Sequence, residues 1–389
     1  MDSFKQVCRK PYSKESDSLL VLFSEMGNEI IDVPFEIKQI KSTSIFPEVA
    51  TNFDEHAIYW DMQYWEFFDS FLLELSYFLE NNAYFNDFID RVCSIFFDYL
   101  SLKLIHIPAL AYCLQVNRER QFGAETAYQS VNNLTKYQMA GNTCEKNTFL
   151  TRILVFNHEL FHLYYQLSPD KKLADYDMLR KFAELYINAD WTNFTTSSEE
   201  DKMLFDGLHK LYNANFDKLM EEAACDYRAV FEIVSLQNQI NFKTEQNLKF
   251  HIQDILDAFH INQTFLSNLC CLSMSWEIVY RAYLSCDSIE EVLKIILPLL
   301  HKENQMAVVR NIIIPDFLDR PIMQKYGISS YENIFGSSFI RSAFLKIRDK
   351  MLDGNFMVYA IEETLRLTQL PNYNPLELKD IVLSNAGYQ

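Results

Sequence analysis

The sequence ILVFNHELFHLYYQ, residues 153–166, places three titratable side chains in an otherwise apolar run. His158 and His162 are four residues apart, so on a helix their imidazoles lie on one face, one turn apart. Glu159 lies beside that face, where its carboxylate can reach a water on a metal ion. This H-E-x-x-H spacing predicts a zinc site with a glutamate general base, and hence metal-assisted hydrolysis. The alternative is a pair of core histidines satisfied by hydrogen bonds.

A catalytic zinc site needs a third protein ligand, and the segment MEEAACDYRAVFEI, residues 220–233, offers several carboxylates. On a helical wheel Glu222 and Asp226 share a stripe at the edge of the apolar face. We expect Glu222 to bind the metal, because a half-buried carboxylate needs a partner. Asp226, one turn on, is expected to accept the outer N–H of one histidine. Glu221 as the ligand, or an exposed Glu-Glu pair on a solvated face, are the alternatives.

An H-E-x-x-H helix followed by E-x-x-x-D on a later helix resembles the gluzincin metallopeptidases. The phrase EEAACDYRA resembles the E-x-x-A-D segment of HtpX-type and ImmA-type peptidases, and the H-E-x-x-H motif resembles, more loosely, that of the Lit-type phage-exclusion peptidases. The resemblance covers two helices. It implies a zincin-like core with one zinc ion per chain, held by His158, His162 and Glu222. It also implies Glu159 as the base and Asp226 behind the ligands.

The same resemblance implies two further features of a peptidase. A donor for the tetrahedral oxyanion is expected beyond the glutamate ligand, and the candidates are Tyr227, Arg228, His301 and Arg310. An extended substrate is expected to bind an edge strand ahead of the histidine helix. The run IPALAYCLQV, residues 107–116, is the candidate for that strand, and the alternative is that it belongs to a buried helix pair.

The elements around these motifs are predicted to be mainly helical, giving a mainly α (α+β) fold. The chain has only 8 glycines but 31 phenylalanines and 22 tyrosines. In residues 62–80 and 84–102, aromatic and aliphatic residues recur at spacings of three and four. Residues 1–60 are expected to form a β-containing segment, with a hairpin over 19–40 that turns near Gly27. Residues 61–240 are expected to form the catalytic core and 241–389 a helical C-terminal region, and the whole could be one continuous domain. Helices are predicted over 62–80, 84–102, 148–166, 176–187 and 199–239, and a capping box at 288–291 predicts another.

Composition limits the classes of partner. The net charge of −18 would repel a phosphate backbone or an anionic bilayer, so neither nucleic acid nor a membrane is expected. The N-terminal residues lack the pattern of a secretory signal, and the 8 cysteines show no C-x-x-C pair. We therefore expect a soluble, cytoplasmic protein with reduced thiols.

Three functional hypotheses follow. The first is a zinc metallopeptidase of narrow specificity that acts on a protein or peptide substrate. The second is a non-catalytic zincin-fold protein that binds a regulatory protein partner through its C-terminal helices. The third is a helical scaffold without a metal, in which the motif is accidental. The intact Glu159 favours the first over the second, and the matching E-x-x-x-D segment argues against the third.

Overall fold

The structure, a computed structural model, is mostly helical with a small sheet near the N-terminus, as the sequence predicts. It describes residues 9–11, 18–42, 50–81, 85–122, 134–187, 216–243, 251–285 and 338–385. The strands are β1 (Arg9–Pro11), β2 (Glu36–Ser42), β3 (Ala50–Asn52) and β4 (Ala57–Asp61). The helices are α1 (Ser18–Ile30), α2 (Met62–Asn81), α3 (Phe85–Lys103), α4 (Pro108–Phe122), α5 (Leu134–Leu167), α6 (Pro169–Ile187), α7 (Phe216–Lys243), α8 (Ile252–Ser285), α9 (Ser338–Met351), α10 (Gly354–Thr368) and α11 (Pro375–Asn385).

The long helices with a clear 3.6-residue period were predicted correctly. Helices α2 and α3 match the predicted ranges within two residues, and α5 ends before Pro169, as the sequence indicates. Helix α5 begins earlier than predicted, at Leu134. The predicted capping box at 288–291 and the first part of the 199–239 helix lie outside the described residues.

The predicted hairpin over residues 19–40 is wrong. Its first arm lies in helix α1, because the apolar residues there repeat at helical spacing and bury Leu22, Phe23 and Met26 on one face. Gly27 does not form a turn. It lies within the helix, where a Cβ atom would come 2.1 Å from Cζ of Phe35, so the missing side chain lets the aromatic ring pack close.

The predicted edge strand over residues 107–116 is also wrong, and the alternative of a buried helix is correct. Pro108 begins helix α4, a position where its fixed φ suits a helix and its missing N–H costs nothing. Ala109, Leu110, Cys113 and Leu114 are buried as α4 packs against α3. An apolar run of this length does not distinguish a buried strand from a buried helix.

The sheet has the strand order β1-β2-β4-β3. Strands β2 and β4 are parallel, with Glu36 opposite Ala57, whereas β1 and β3 run antiparallel to their neighbours. Strand β3 lies at the end of this order and contacts helix α5. The sheet therefore presents a short antiparallel strand to the helix that carries the histidine motif.

The hydrophobic core draws on all three predicted parts of the chain. Buried side chains run from Leu22 in α1 to Val382 in α11, and the aromatic rings of α2 and α3 pack against Phe265 of α8. The four cysteines whose side chains are described are buried and form no disulfide bond with one another. None of the described helices combines the length and the apolar character that crossing a membrane requires.

A buried ion pair joins the sheet to the helices. Lys103 at the end of α3 donates to the carbonyl oxygen of Ser42 at 2.8 Å and to Oδ2 of Asp61 at 3.3 Å. The side chains of Lys103 and Asp61 are both 0% exposed. Asp61 also accepts hydrogen bonds from the backbone N–H groups of Ser42 and Gln63, so this one carboxylate ties β2, α2 and α3 together.

Replacing Asp61 with asparagine should destabilise the fold by about 3–5 kcal/mol, because it leaves the Lys103 ammonium buried without its counter-charge. Urea unfolding followed by circular dichroism measures the loss. The control is Glu66→Gln, which breaks the part-exposed Lys41–Glu66 pair at 2.9 Å and should cost less than about 1 kcal/mol. Equal losses in the two variants would contradict the role assigned to Asp61.

Candidate metal centre

The centre forms where helix α5 packs against helix α7. Ala223 and Ala224 are fully buried in this contact, and their small side chains let the two helices approach closely. The hydroxyl of Tyr165 on α5 reaches the backbone carbonyl of Ala224 at 3.4 Å. Because of this close approach, His158 and His162 on α5 face Glu222 on α7.

Three donor atoms converge from these two helices. Nε2 of His158 and Nε2 of His162 are 3.1 Å apart, and Oε2 of Glu222 lies 3.4 Å from the first and 4.0 Å from the second. Ligand atoms of a tetrahedral zinc site with bonds of about 2.0–2.1 Å lie about 3.3 Å from one another. The spacing of the three atoms therefore fits one zinc ion.

The hydrogen bonding of His158 also fits a cation. Its Nδ1 lies 2.7 Å from Oδ1 of Asp226, and an ionised carboxylate can only accept, so Nδ1 carries the proton. The Nε2 lone pair of His158 then points toward Nε2 of His162. A proton shared between the two nitrogens satisfies this arrangement, and so does a metal ion bound by both.

The electrostatics of the centre favour positive charge. Burial opposes the protonated form of His158, but the Asp226 and Glu222 carboxylates outweigh it and raise the pKa of the imidazole well above its usual value. For Glu159, burial raises the pKa, and the two histidines act in the opposite direction. A carboxylate with a raised pKa is a stronger proton acceptor, which suits a general base.

Glu159 lies at the same centre. A ligand atom of its carboxylate lies within 4.8 Å of the ring nitrogens of His158 and His162. The Thr51 hydroxyl, on strand β3, is 2.6 Å from the backbone oxygen of Glu159 and 3.2 Å from its Oε2. Glu159 is therefore within reach of a metal or of a water next to one, and the Thr51 hydroxyl of the sheet contacts both its backbone oxygen and its carboxylate.

The neighbouring carboxylates Glu221 and Glu222 have different surroundings. Oε1 of Glu221 lies 3.5 Å from Nδ1 of His162, on the side of the ring away from the three donor atoms, and its Oε2 accepts from Lys172 at 2.7 Å. The side chain of Glu221 is 31% exposed and that of Glu222 is 18% exposed. The imidazole of His162, together with Lys172, lowers the pKa of Glu221 to about 2 despite partial burial. Of the two, Glu222 is the better placed as a metal ligand.

The residues predicted to stabilise an oxyanion are only partly described. Arg228 donates two hydrogen bonds to the buried Asp175, at 2.7 and 2.6 Å. Tyr227 is buried, and its ring packs against Phe231 with 6.3 Å between centroids. His301 and Arg310 lie outside the described residues. The oxyanion donor stays a prediction.

Three side chains at the centre were not predicted from the sequence. Thr51 contacts Glu159 across 108 residues, Lys172 contacts Glu221 across 49, and Gln263 donates to both oxygens of Asp226 at 3.4 Å across 37. None of the three belongs to a motif or shares an element with its partner. No signal in the sequence could have identified them.

No protein-family model, curated protein or solved structure matches this chain.

The donor geometry predicts about one zinc ion per wild-type chain, and less than a tenth of that in His162→Ala and Glu222→Ala, because each removes one of three protein ligands. Elemental analysis after dialysis against zinc-free buffer measures the metal content. Glu362→Gln, on an exposed site of helix α10, is the control and should keep the ion. If the wild-type chain binds no added zinc, the two histidines are core residues satisfied by hydrogen bonds and not metal ligands.

Asp226→Asn should weaken zinc binding by about 10–100-fold, because the amide no longer fixes the Nδ1–H tautomer of His158. The dissociation constant can be measured by competition with a chromophoric chelator. Asp380→Asn, at an exposed position of helix α11, removes the same charge far from His158 and should leave the constant unchanged. The same affinity in all three proteins would exclude a supporting role for Asp226.

Proposed function

We propose that this chain is a zinc-dependent metallopeptidase that hydrolyses peptide bonds. The observation that carries the proposal is the convergence of Nε2 of His158, Nε2 of His162 and Oε2 of Glu222 within 3.1–4.0 Å, with the Glu159 carboxylate beside them. Three protein ligands leave the fourth position of a tetrahedral ion open, as in catalytic rather than structural zinc sites.

The chemistry divides between the ion and the side chains. When bound, zinc supplies Lewis acidity that polarises a carbonyl and lowers the pKa of water. Glu159 takes a proton from the attacking water and passes it to the nitrogen of the leaving amine. Asp226 holds the proton on Nδ1 of His158, which keeps the Nε2 lone pair free for the metal. The Thr51 hydroxyl holds Glu159 in place.

The sheet supports a peptide as the substrate. Strand β3 stands at the end of the strand order and contacts the helix that carries the motif, and its Thr51 touches Glu159 itself. An extended peptide that added to this strand would pass directly beside the proposed base. We therefore assign the substrate-binding edge to β3 and not to residues 107–116, because residues 108–116 belong to helix α4.

The arrangement of elements supports a zincin-like core for this function. The antiparallel end strand β3 of a mixed sheet contacts the histidine helix, and a second helix carries the proposed glutamate ligand. The side chains of His158 and Glu222 are only 11% and 18% exposed. Donor side chains with so little exposure favour narrow specificity, because few substrates can bring a peptide bond up to them.

Glu159→Gln should abolish proteolysis, with at least about a 10³-fold loss of rate, while about one zinc ion per chain remains bound. The amide keeps the shape of the side chain but accepts no proton. Mass spectrometry of new protein N-termini, in cells expressing wild type, Glu159→Gln or the control Glu362→Gln, identifies the cleavage. Purified wild type should then cut the identified protein, and Glu159→Gln should not.

The outcomes of this experiment separate the hypotheses. Identical N-terminal profiles for wild type and Glu159→Gln, with zinc bound in both, would indicate a non-catalytic zincin-fold protein. Loss of zinc from Glu159→Gln would instead indicate that Glu159 is itself a ligand. The geometry is compatible with that role, because ligand atoms of His158, Glu159 and His162 lie within 4.8 Å of one another. Absence of zinc from the wild-type chain would contradict both the peptidase hypothesis and the hypothesis of a non-catalytic zincin-fold protein.

A further inference from the structure

We propose that Lys172 and Glu221 form a clamp that orients the His162 imidazole and thereby strengthens metal binding. This inference rests on the proposed zinc site and goes beyond it, because it assigns a positioning role to two residues that do not bind the metal. The clamp consists of Glu221 on helix α7 and Lys172 on helix α6.

A carboxylate of helix α7 lies on the outer side of each histidine, closer to His158 than to His162. Nδ1 of His158 faces Oδ1 of Asp226 at 2.7 Å, and Nδ1 of His162 faces Oε1 of Glu221 at 3.5 Å. In both cases the Nε2 atom points to the proposed ion and the other ring nitrogen points to a carboxylate on α7. A carboxylate in this position selects the Nδ1–H tautomer and fixes the plane of the ring.

The second oxygen of the Glu221 carboxylate accepts hydrogen bonds from helix α6. Its Oε2 accepts a hydrogen bond from Nζ of Lys172 at 2.7 Å and one from the hydroxyl of Tyr176 at 3.5 Å. Nζ of Lys172 lies 5.4 Å from the centroid of the Tyr176 ring, within the range of a cation–π contact. With Oε2 held in this way, Oε1 is left facing His162.

Helix α6 is itself fixed to both metal-bearing helices. Asp175, between Lys172 and Tyr176, accepts from the Tyr165 hydroxyl of α5 at 2.7 Å and from two nitrogens of Arg228 on α7. The Asp175 side chain is 7% exposed. The turn of α6 that carries Lys172 is therefore anchored to the helices that carry His162 and Glu221.

The sign of one substitution separates positioning from simple electrostatics. Removing the positive charge of Lys172 should strengthen binding of a divalent cation if charge alone matters, because one repulsion disappears. If Lys172 holds Glu221 against His162, its removal should weaken binding. Lys172→Met keeps most of the side-chain volume and tests this directly. Lys171→Met, on the exposed neighbouring position, removes the same charge without touching Glu221.

The experiment measures the zinc dissociation constant of the full-length chain by chelator competition for wild type, Glu221→Gln, Lys172→Met and Lys171→Met. We expect about 10–100-fold weaker binding for Glu221→Gln, weaker binding by several-fold for Lys172→Met, and none of this loss for Lys171→Met. The visible spectrum of the cobalt(II)-loaded protein is the second readout. In Glu221→Gln this spectrum should keep the absorption of a four-coordinate cobalt site, with its band shifted in wavelength because the His162 ligand is altered. The circular dichroism spectrum of the variant should show an unchanged fold.

Failure of this inference differs from failure of the metal site. A wild-type chain that binds neither zinc nor cobalt overturns both. Zinc binding by the wild type that is unchanged in Glu221→Gln, or unchanged or tighter in Lys172→Met, overturns the clamp and leaves the peptidase proposal intact. Complete loss of zinc from Glu221→Gln, as expected for Glu222→Ala, would make Glu221 a ligand and also overturn the clamp.

Discussion

The close packing of helices α5 and α7 is the constraint on which the centre depends. The two histidines come from one helix and the Glu222 carboxylate from the other, so the three donor atoms meet only if the backbones approach closely. Ala223 and Ala224 make this approach sterically possible, and the contact of Tyr165 with the Ala224 carbonyl shows how near the two helices lie. Larger side chains at either alanine would separate the helices and move Glu222 away from both imidazoles.

This packing concentrates negative charge in a small volume. Four carboxylates, those of Glu159, Glu221, Glu222 and Asp226, surround two imidazoles, and burial makes each charge costly unless it is paired. Lys172 offsets only the outer part of the cluster. A divalent cation between the imidazoles would compensate the inner part, as the proposed metal centre requires.

The surrounding elements hold the inner residues from outside. Strand β3 reaches Glu159 through Thr51, helix α6 reaches Glu221 through Lys172, and helix α8 reaches Asp226 through Gln263. Each contact joins a side chain near the proposed ion to a separate element of the fold. Chemistry at a metal centre requires side chains fixed to within a fraction of an ångström, and contacts from three directions restrict them more than two helices alone could.

The sequence by itself determined the local features: the helical spacing that puts His158 and His162 on one face, the helical periods of α2, α3 and α5, and the stripe shared by Glu222 and Asp226. These depend on residues within a few turns of one another, so the pattern is visible in the chain. Tertiary structure alone decided that residues 19–30 and 108–116 are helical and that β3 adjoins the centre. It also decided which carboxylate lies against the Nδ1 atom of each histidine. Short apolar runs fit a buried strand or a buried helix equally well, and only their packing against distant elements selects one. The partners of Glu159, Glu221 and Asp226 come from remote segments, so only folding determines them.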